Sequence, residues 1–117
     1  MKLYGIPNCT TVKKARDWLM RNGLEYEFHD FKKSGVSATM LKNWAGQTGW
    51  EKLFKRQGPT WNQLSPEAKA SLTCEAAAIA LMLEKPNLIK RPVLERDGKV
   101  LHLGFDETAY QNLLGKK

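Results

Sequence analysis

Cysteine and histidine are both scarce in this chain of 117 residues, which contains two of each. The cysteines, Cys9 and Cys74, are too few for a disulfide scaffold. Together with His29 and His102 they show no metal-ligand spacing, so no metal site is predicted. In a reducing compartment a lone cysteine is either structural or reactive, and its surroundings decide which.

Long apolar runs are also absent. No apolar stretch reaches the roughly 18 residues that a transmembrane helix needs. Near the N-terminus, Tyr4, Pro7 and Asn8 interrupt any candidate signal-peptide core. These absences predict a cytoplasmic protein with no membrane partner. The apolar fraction is 42%, and the length suits a single domain over residues 1–117.

Acidic residues are outnumbered, 12 against 19 lysines and arginines, which gives a net charge of +7. A basic balance favours anionic partners. However, the lysines occur only in short pairs, at Lys13-Lys14, Lys32-Lys33 and Lys116-Lys117, and no basic residues alternate with aromatic ones. A solvated basic surface is therefore expected rather than nucleic-acid binding. Nothing in the pattern indicates an oligomer, so a monomer is expected.

The first third of the chain has the pattern strand–helix–strand. Residues 2–6 form a short apolar run, Val12, Ala15 and Leu19 recur at helical spacing, and Asn22-Gly23 is a helix stop. Residues 24–29 then alternate between apolar and polar side chains, as in a strand with one buried face. A right-handed crossover between two parallel strands is the expected geometry.

The remaining elements complete a mixed sheet. Helices are predicted between about residues 36 and 86, two of them capped by Ser37 and Ser65. Residues 93–103 have the pattern of a β-hairpin around Asp97-Gly98, and Asp106 caps a final helix. The predicted fold is thioredoxin-like (glutaredoxin-like), a mixed four-stranded sheet with a helical insertion between its βαβ and ββα halves.

Cys9 lies between the first strand and the first helix. It has three possible roles: an apolar filler, half of a redox pair, or a lone nucleophile. A helix N-terminus offers unpaired N–H groups and partial positive charge, which lower a thiol pKa, and Lys13 and Lys14 follow one turn later. A local Cys-x-x-Cys pair is excluded because the third residue after Cys9 is Val12. A reactive Cys9 would therefore need an external thiol, or Cys74, to resolve its disulfide.

Less can be inferred at the other candidate positions. Cys74 is expected to be a helix-start filler, and the two histidines to be solvent-facing strand residues. Arg91-Pro92 precedes the hairpin, where a thioredoxin-like fold places a cis-proline facing the cysteine. Arg91 would then be a positive neighbour of the thiolate. By itself, Arg56 is typical of a solvated surface charge.

Three segments in this order are specific in combination: residues 4–14 (YGIPNCTTVKK), 53–61 (LFKRQGPTW) and 87–93 (NLIKRPV). With them the chain resembles the arsenate reductase (ArsC)/Spx family along its whole length, and most closely its YffB-like members. The resemblance implies that Cys9 is the nucleophile, that Arg56 and Arg91 hold an oxyanion or the thiol's adduct, and that Pro92 is the cis-proline.

Two departures from the family pattern weaken an arsenate assignment. Arsenate reductases carry a third arginine on or just after the last strand, where residues 103–106 read LGFD. They often also carry a histidine shortly before the cysteine, where this chain has Gly5 and Ile6. The Spx regulators usually have a Cys-x-x-Cys switch, which Val12 removes.

The function expected from the sequence is that of a glutathione-dependent thiol reductase with Cys9 as its single nucleophilic cysteine. Glutathione would be a co-substrate, with no tightly bound cofactor. The alternatives are an arsenate reductase and an Spx-like regulator that binds the RNA polymerase α subunit without catalysis. The residues expected to bind glutathione or another anion are Arg56, Arg91, Pro92, Asn8 and Thr10.

Overall fold

The computed structural model describes residues 1–115, in two compact units. The first unit consists of Met1–Gly35 and the segment that begins at Arg91, and the second is Val36–Lys90. The helical insertion predicted between residues 36 and 86 falls within the second unit. Lys116 and Lys117, the third lysine pair and the last two residues of the predicted 1–117 domain, lie outside the described residues.

The first unit contains a four-stranded sheet in the order β2-β1-β3-β4. Its strands are β1 (Lys2–Gly5), β2 (Glu27–Asp30), β3 (Val93–Arg96) and β4 (Lys99–Leu103). The β1 and β2 strands are parallel, while β3 is antiparallel to both β1 and β4. The predicted mixed sheet and its parallel first pair are confirmed.

Helices α1 (Thr10–Arg21), α2 (Phe31–Ser34) and α8 (Glu107–Leu114) belong to the first unit. The second unit contains α3 (Ala38–Thr48), α4 (Trp50–Leu53), α5 (Pro59–Asn62), α6 (Pro66–Ala70), α7 (Glu75–Glu84) and a 3-10 turn at Pro86–Leu88. Within residues 1–115, no helix is long and apolar enough to cross a membrane.

One face of the sheet packs against α1 and α8 to form the core of the first unit. Buried side chains from the strands and from both helices meet there: Leu3, Ala15, Trp18, Leu19, Leu94, Tyr110 and Leu114. The Trp18 and Tyr110 rings meet edge to face, with 5.6 Å between their centroids. This packing fixes α1 on the sheet, and with it the start of α1, where Cys9 lies.

The β3–β4 hairpin turns at the predicted Asp97-Gly98 pair. Both residues have positive φ, 53° and 79°, which is the backbone that a two-residue primed turn requires. The sequence prediction of the hairpin is confirmed, together with the cap at Asp106, whose carboxylate accepts the Ala109 N–H at 3.1 Å.

Two predicted boundaries differ from the structure. The second strand begins at Glu27 rather than at residue 24, because the Leu24 N–H still bonds the Leu19 carbonyl at the end of α1 (3.0 Å). After β2, the sequence of residues 32–35 (KKSG) predicts a loop, but the chain forms a helical turn, α2, which Asp30 caps by accepting the Lys32 N–H at 2.8 Å. Both differences arise from local hydrogen bonds that hydrophobic periodicity does not report.

The second unit is built around α3 and α7, which pack against each other. Helices α3 and α6 begin at the predicted caps, where Ser37 accepts the Met40 N–H and Ser65 accepts the Ala68 N–H, each at 3.1 Å. Its largest fully buried side chains are Leu41, Trp44, Leu53, Met82, Leu88 and Ile89. This unit therefore has a core of its own.

Candidate active site

Cys9 is the N-cap residue of α1. Its N–H bonds the Ile6 carbonyl at 3.2 Å, which closes the turn after β1, and its own carbonyl accepts the Lys13 N–H at 2.9 Å. The backbone of Cys9 is extended (φ −88°, ψ 128°), as expected of a residue that directly precedes a helix. The residue is half-buried, so it is partly accessible from solvent.

Gly5 allows β1 and the first turn of α1 to approach each other closely. A Cβ atom at position 5 would lie 2.8 Å from Cγ2 of Val12, a distance that real Cβ contacts do not show. Val12 is fully buried, so its side chain has little room to withdraw. The missing side chain at Gly5 thus sets the spacing between the strand and the helix that carries Cys9.

The Gly5→Ala substitution is accordingly expected to destabilise the protein by about 1–3 kcal/mol, the usual range for overpacking a core. Gly46→Ala is the matched control, because Gly46 lies inside α3 with open space around it. That change is expected to stabilise the protein by up to about 1 kcal/mol. Urea unfolding of both variants measures the two effects, and equal stability of the Gly5 variant and the parent protein would contradict the proposed close approach.

The environment of Cys9 favours its thiolate. Burial raises the pKa of the thiol, but the Val12 N–H, the Arg91 side chain and the Thr11 N–H together outweigh it, and the pKa lies below its ordinary value. Arg91 acts both by hydrogen bonding and through its charge. No single N–H forms a cap hydrogen bond of standard geometry with the sulfur, and the three groups together lower the pKa.

Arg91 and Pro92 open the segment that leads into β3. The peptide bond between them is cis, as predicted. Arg91 is half-buried and Pro92 is buried, and the Pro92 carbonyl accepts the Gly104 N–H from the end of β4 at 2.9 Å. The fold therefore brings two of the predicted site residues, Cys9 and Arg91, together.

Arg56 belongs to the second unit, in the loop after α4. Its side chain is exposed, and its guanidinium carbon lies 5.8 Å from the centroid of the Trp50 ring. The loop is anchored by hydrogen bonds from the Lys55 N–H to the Leu88 carbonyl (2.7 Å) and from the Lys90 N–H to the Leu53 carbonyl (2.8 Å). A role for Arg56 in anion binding stays a prediction.

Asn8 and Thr10, the immediate neighbours of Cys9, are both exposed. The amides that lower the pKa of Cys9 belong to Thr11 and Val12, which the sequence prediction did not single out. Their position could have been found, because the N–H groups that an N-cap side chain faces are those of the second and third helical residues. The positive charge comes from Arg91, whereas Lys13 and Lys14 were also expected to contribute.

Cys74 and the histidines differ from their predicted surroundings. Cys74 is the N-cap of α7, as expected of a helix-start residue, but it is exposed and fills no space. His29 is half-buried, and its Nε2 lies 2.8 Å from the Gly35 carbonyl oxygen. His102 is half-buried too, with its ring 5.7 Å from that of Tyr110. The prediction that both histidines face solvent is wrong, because neighbouring rings cover them.

Among residues 1–115, no group of three or more histidine, cysteine, aspartate or glutamate side chains could hold a metal ion. The reactive group that the site offers is the Cys9 sulfur, with the Arg91 guanidinium beside it.

Comparison with known proteins identifies the family. The model of the ArsC family matches residues 4–113. The chain belongs to the ArsC family. Among ArsC-related structures, one called YFFB protein is 45% identical with a TM-score of 0.90 and covers 97% of each chain. The resemblance inferred from the three sequence segments is thereby confirmed, as is the thioredoxin-like sheet.

Two other relatives indicate the range of functions within the ArsC family. A solved arsenate reductase (ArsC) related protein from Brucella melitensis is 43% identical with a TM-score of 0.77, covering 95% of this chain and 91% of that one. The global transcriptional regulator Spx 1 of Lactococcus lactis is 27% identical over 117 residues, 98% of this chain and 89% of that protein. Family membership alone therefore leaves both enzymatic and regulatory functions open.

Proposed function

We propose that this ArsC-family protein is a glutathione-dependent thiol reductase. In the first step the Cys9 thiolate attacks the glutathione sulfur of a glutathionylated thiol. The disulfide of the substrate breaks, a Cys9–glutathione disulfide forms, and the substrate sulfur leaves as a thiolate that takes up a proton from water.

In the second step a free glutathione thiolate attacks the sulfur of the bound glutathione. Oxidised glutathione leaves, and Cys9 is released as the thiolate. Over the cycle one disulfide is reduced and two glutathione thiols become one disulfide, so the two electrons balance. The protein needs no tightly bound cofactor in this scheme, because glutathione supplies the electrons.

The observation that carries this proposal is the place of Cys9 as the N-cap of α1, where the Val12 N–H, the Arg91 side chain and the Thr11 N–H surround the sulfur and lower the thiol pKa. A thiolate is both the better nucleophile and the better leaving group in thiol–disulfide exchange, and each of the two steps needs one of these properties. Val12 occupies the position of the second cysteine in a Cys-x-x-Cys pair. A resolving thiol from solution is therefore the simplest second partner.

The other site residues have supporting roles in the proposal. Arg91 stabilises Cys9 as the thiolate. Arg56 binds a carboxylate of glutathione, because a planar guanidinium can donate two hydrogen bonds to it in a bidentate arrangement. Pro92, Asn8 and Thr10 border the place where the bound peptide would lie.

A coupled assay tests the proposal. The purified protein is mixed with a glutathionylated peptide, glutathione, NADPH and glutathione reductase, and NADPH oxidation is followed. We expect turnover that depends on both the protein and glutathione. No rate above the uncatalysed exchange, in a protein whose Cys9 reacts with a thiol reagent, would overturn the proposal.

Arsenate reduction is tested in the same assay with arsenate in place of the glutathionylated peptide. The name of the Brucella melitensis relative favours this candidate, whereas the missing arginine in residues 103–106 disfavours it. We expect little or no turnover with arsenate. A faster rate with arsenate than with the peptide would assign the site to oxyanion chemistry.

The other alternative is a regulatory function, because an Spx relative matches 98% of the chain. Such a protein would bind the RNA polymerase α subunit by recognition alone. A pull-down with the purified α subunit distinguishes the regulator from the thiol reductase. Binding by both the parent protein and Cys9→Ala, together with no thiol reductase turnover, would favour the regulator.

A further inference from the structure

A polar groove of about 460 Å³ runs beside α1 in the first unit. Its volume lies within the roughly 300–1,000 Å³ of typical small-molecule sites. The lining residues are mostly charged: Thr11, Lys14, Asp17, Arg21, Phe105, Asp106 and Glu107. We call this feature the α1–α8 groove.

The residues of the α1–α8 groove form two walls. One is a stripe along α1, since Thr11, Lys14, Asp17 and Arg21 are spaced three or four residues apart and share one helix face. The other is the segment from Phe105 to Glu107, which leads into α8. Acidic and basic side chains therefore line the same cavity.

The opposite charges of the groove do not neutralise one another by direct contact. Within residues 1–115 no ion pair joins its basic and acidic side chains. Arg21 bonds the main-chain oxygen of Asp17 (3.4 Å) rather than its carboxylate, and Asp106 uses one carboxylate oxygen to cap α8. Lys14 and Glu107 are exposed. The groove thus offers both signs of charge to a ligand.

The groove begins two residues after Cys9 in the chain. Thr11 lines it, and the Thr11 N–H is one of the donors that lower the pKa of Cys9. Lys14 follows three residues later, a rise of about 4.5 Å along the helix. Lys14 lies five residues after Cys9, about 7.5 Å along the helix axis, a distance that roughly two to three extended residues of a peptide attached to Cys9 can span.

We propose that the α1–α8 groove binds the zwitterionic glutamyl end of glutathione. This proposal rests on the proposed function, and it names the part of the co-substrate that the protein recognises. The glutamyl residue carries an α-ammonium and an α-carboxylate on one carbon, so it matches a groove with both charges. Lys14 and Arg21 bind the carboxylate, and Glu107 with Asp17 binds the ammonium.

Kinetics with two reductants test the proposal. Glutathione is compared with N-acetylcysteinylglycine, which keeps the thiol and the glycine carboxylate but lacks the glutamyl residue. We expect Lys14→Gln and Glu107→Gln each to raise the KM for glutathione about three- to fivefold, as for an exposed charge contact, with kcat little changed. Lys13→Gln is the matched control, because it removes the same charge one position earlier, outside the groove.

The KM values for glutathione and N-acetylcysteinylglycine can also overturn the proposal. If Lys14→Gln and Glu107→Gln raise the KM for both reductants equally, the groove does not recognise the glutamyl residue. The same conclusion follows if Lys13→Gln has as large an effect as Lys14→Gln, since only the general positive charge would then matter.

Direct binding separates a failure of this proposal from a failure of the proposed function. S-methylglutathione, which cannot form a disulfide, is titrated into isotope-labelled Cys9→Ser protein and the backbone amides are followed by NMR. We expect shifts at Thr11, Lys14 and Glu107 that the Lys14→Gln/Glu107→Gln double variant loses. Shifts confined to other residues, or none at millimolar concentration, would overturn the groove assignment even if the parent protein is an active reductase.

Discussion

Cys9→Ser is expected to abolish glutathione-dependent turnover, with a rate loss of at least roughly 10³-fold, because the hydroxyl is a far weaker nucleophile than a thiolate. The substitution is nearly isosteric, and the Cys9 main chain already makes its two turn hydrogen bonds. The fold should therefore persist, and circular dichroism checks that it does. The coupled NADPH assay measures the loss.

Cys74→Ser is the matched control for that prediction. Cys74 is exposed at the start of α7 in the second unit, and the proposed cycle does not use it. We expect Cys74→Ser to retain turnover within about twofold, as for a surface substitution remote from special features. Comparable losses in the two serine variants would show that Cys74 is the resolving thiol, and glutathione would then not resolve the Cys9 disulfide directly.

Arg91→Met is expected to raise the pKa of Cys9. Burial already raises the pKa of this thiol, and the Arg91 guanidinium is one of the groups that outweigh it. Without the guanidinium a smaller fraction of Cys9 is thiolate at pH 7, so alkylation by iodoacetamide slows and its pH midpoint moves upward. The measurement is the alkylation rate from pH 5 to 10, in a Cys74→Ser background.

Two further variants define the role of Arg91. Arg91→Lys keeps the positive charge but loses the planar fork, so an intermediate midpoint is expected. Arg96→Met is the matched control, since Arg96 is an exposed arginine at the end of β3 that bonds the Met1 sulfur. An Arg91→Met midpoint equal to that of the parent protein would contradict the assignment of Arg91 as the partner of the thiolate.

The lowered pKa of Cys9 also has a consequence for stability. A thiol whose folded pKa lies below its unfolded value stabilises the fold at pH above the unfolded value of about 8.5. This contribution is lost as the pH falls through the folded pKa. The free energy of unfolding of the parent protein relative to Cys9→Ser should therefore be larger at pH 9 than at pH 5.

The fold could be predicted largely from local sequence patterns. The hairpin followed from Asp97-Gly98, whose two positive φ angles few other pairs accept. Caps such as Ser65 and Asp106 marked helix starts. The second strand was predicted too long because Leu24 alternates with polar neighbours, yet its N–H completes the end of α1.

The candidate site was predictable in its main residue and less so in its surroundings. Cys9 follows from its place between a strand and a helix, and Arg91 from its place before the hairpin. The close approach of Gly5 to Val12 depends on how β1 and α1 pack, which no local pattern encodes. The partial burial of His29 and His102 beside neighbouring rings depends on packing in the same way.

The α1–α8 groove could not be predicted from local sequence patterns either. Lys14 and Asp17 look like ordinary solvated positions of an amphipathic helix. Only the fold brings Phe105 and Glu107, about ninety residues later in the chain, to the opposite wall of the cavity. A charge that is unremarkable in the sequence thus becomes part of the proposed binding site.

Mass spectrometry of a single turnover shows whether Cys9 is a nucleophile that glutathione resolves. Cys74→Ser protein is mixed with one equivalent of a glutathionylated peptide and then, after removal of the peptide, with free glutathione. We expect one glutathionyl group on Cys9 after the first addition, and its release as oxidised glutathione after the second. No adduct on Cys9, or an adduct that excess glutathione does not remove, would contradict this role of Cys9.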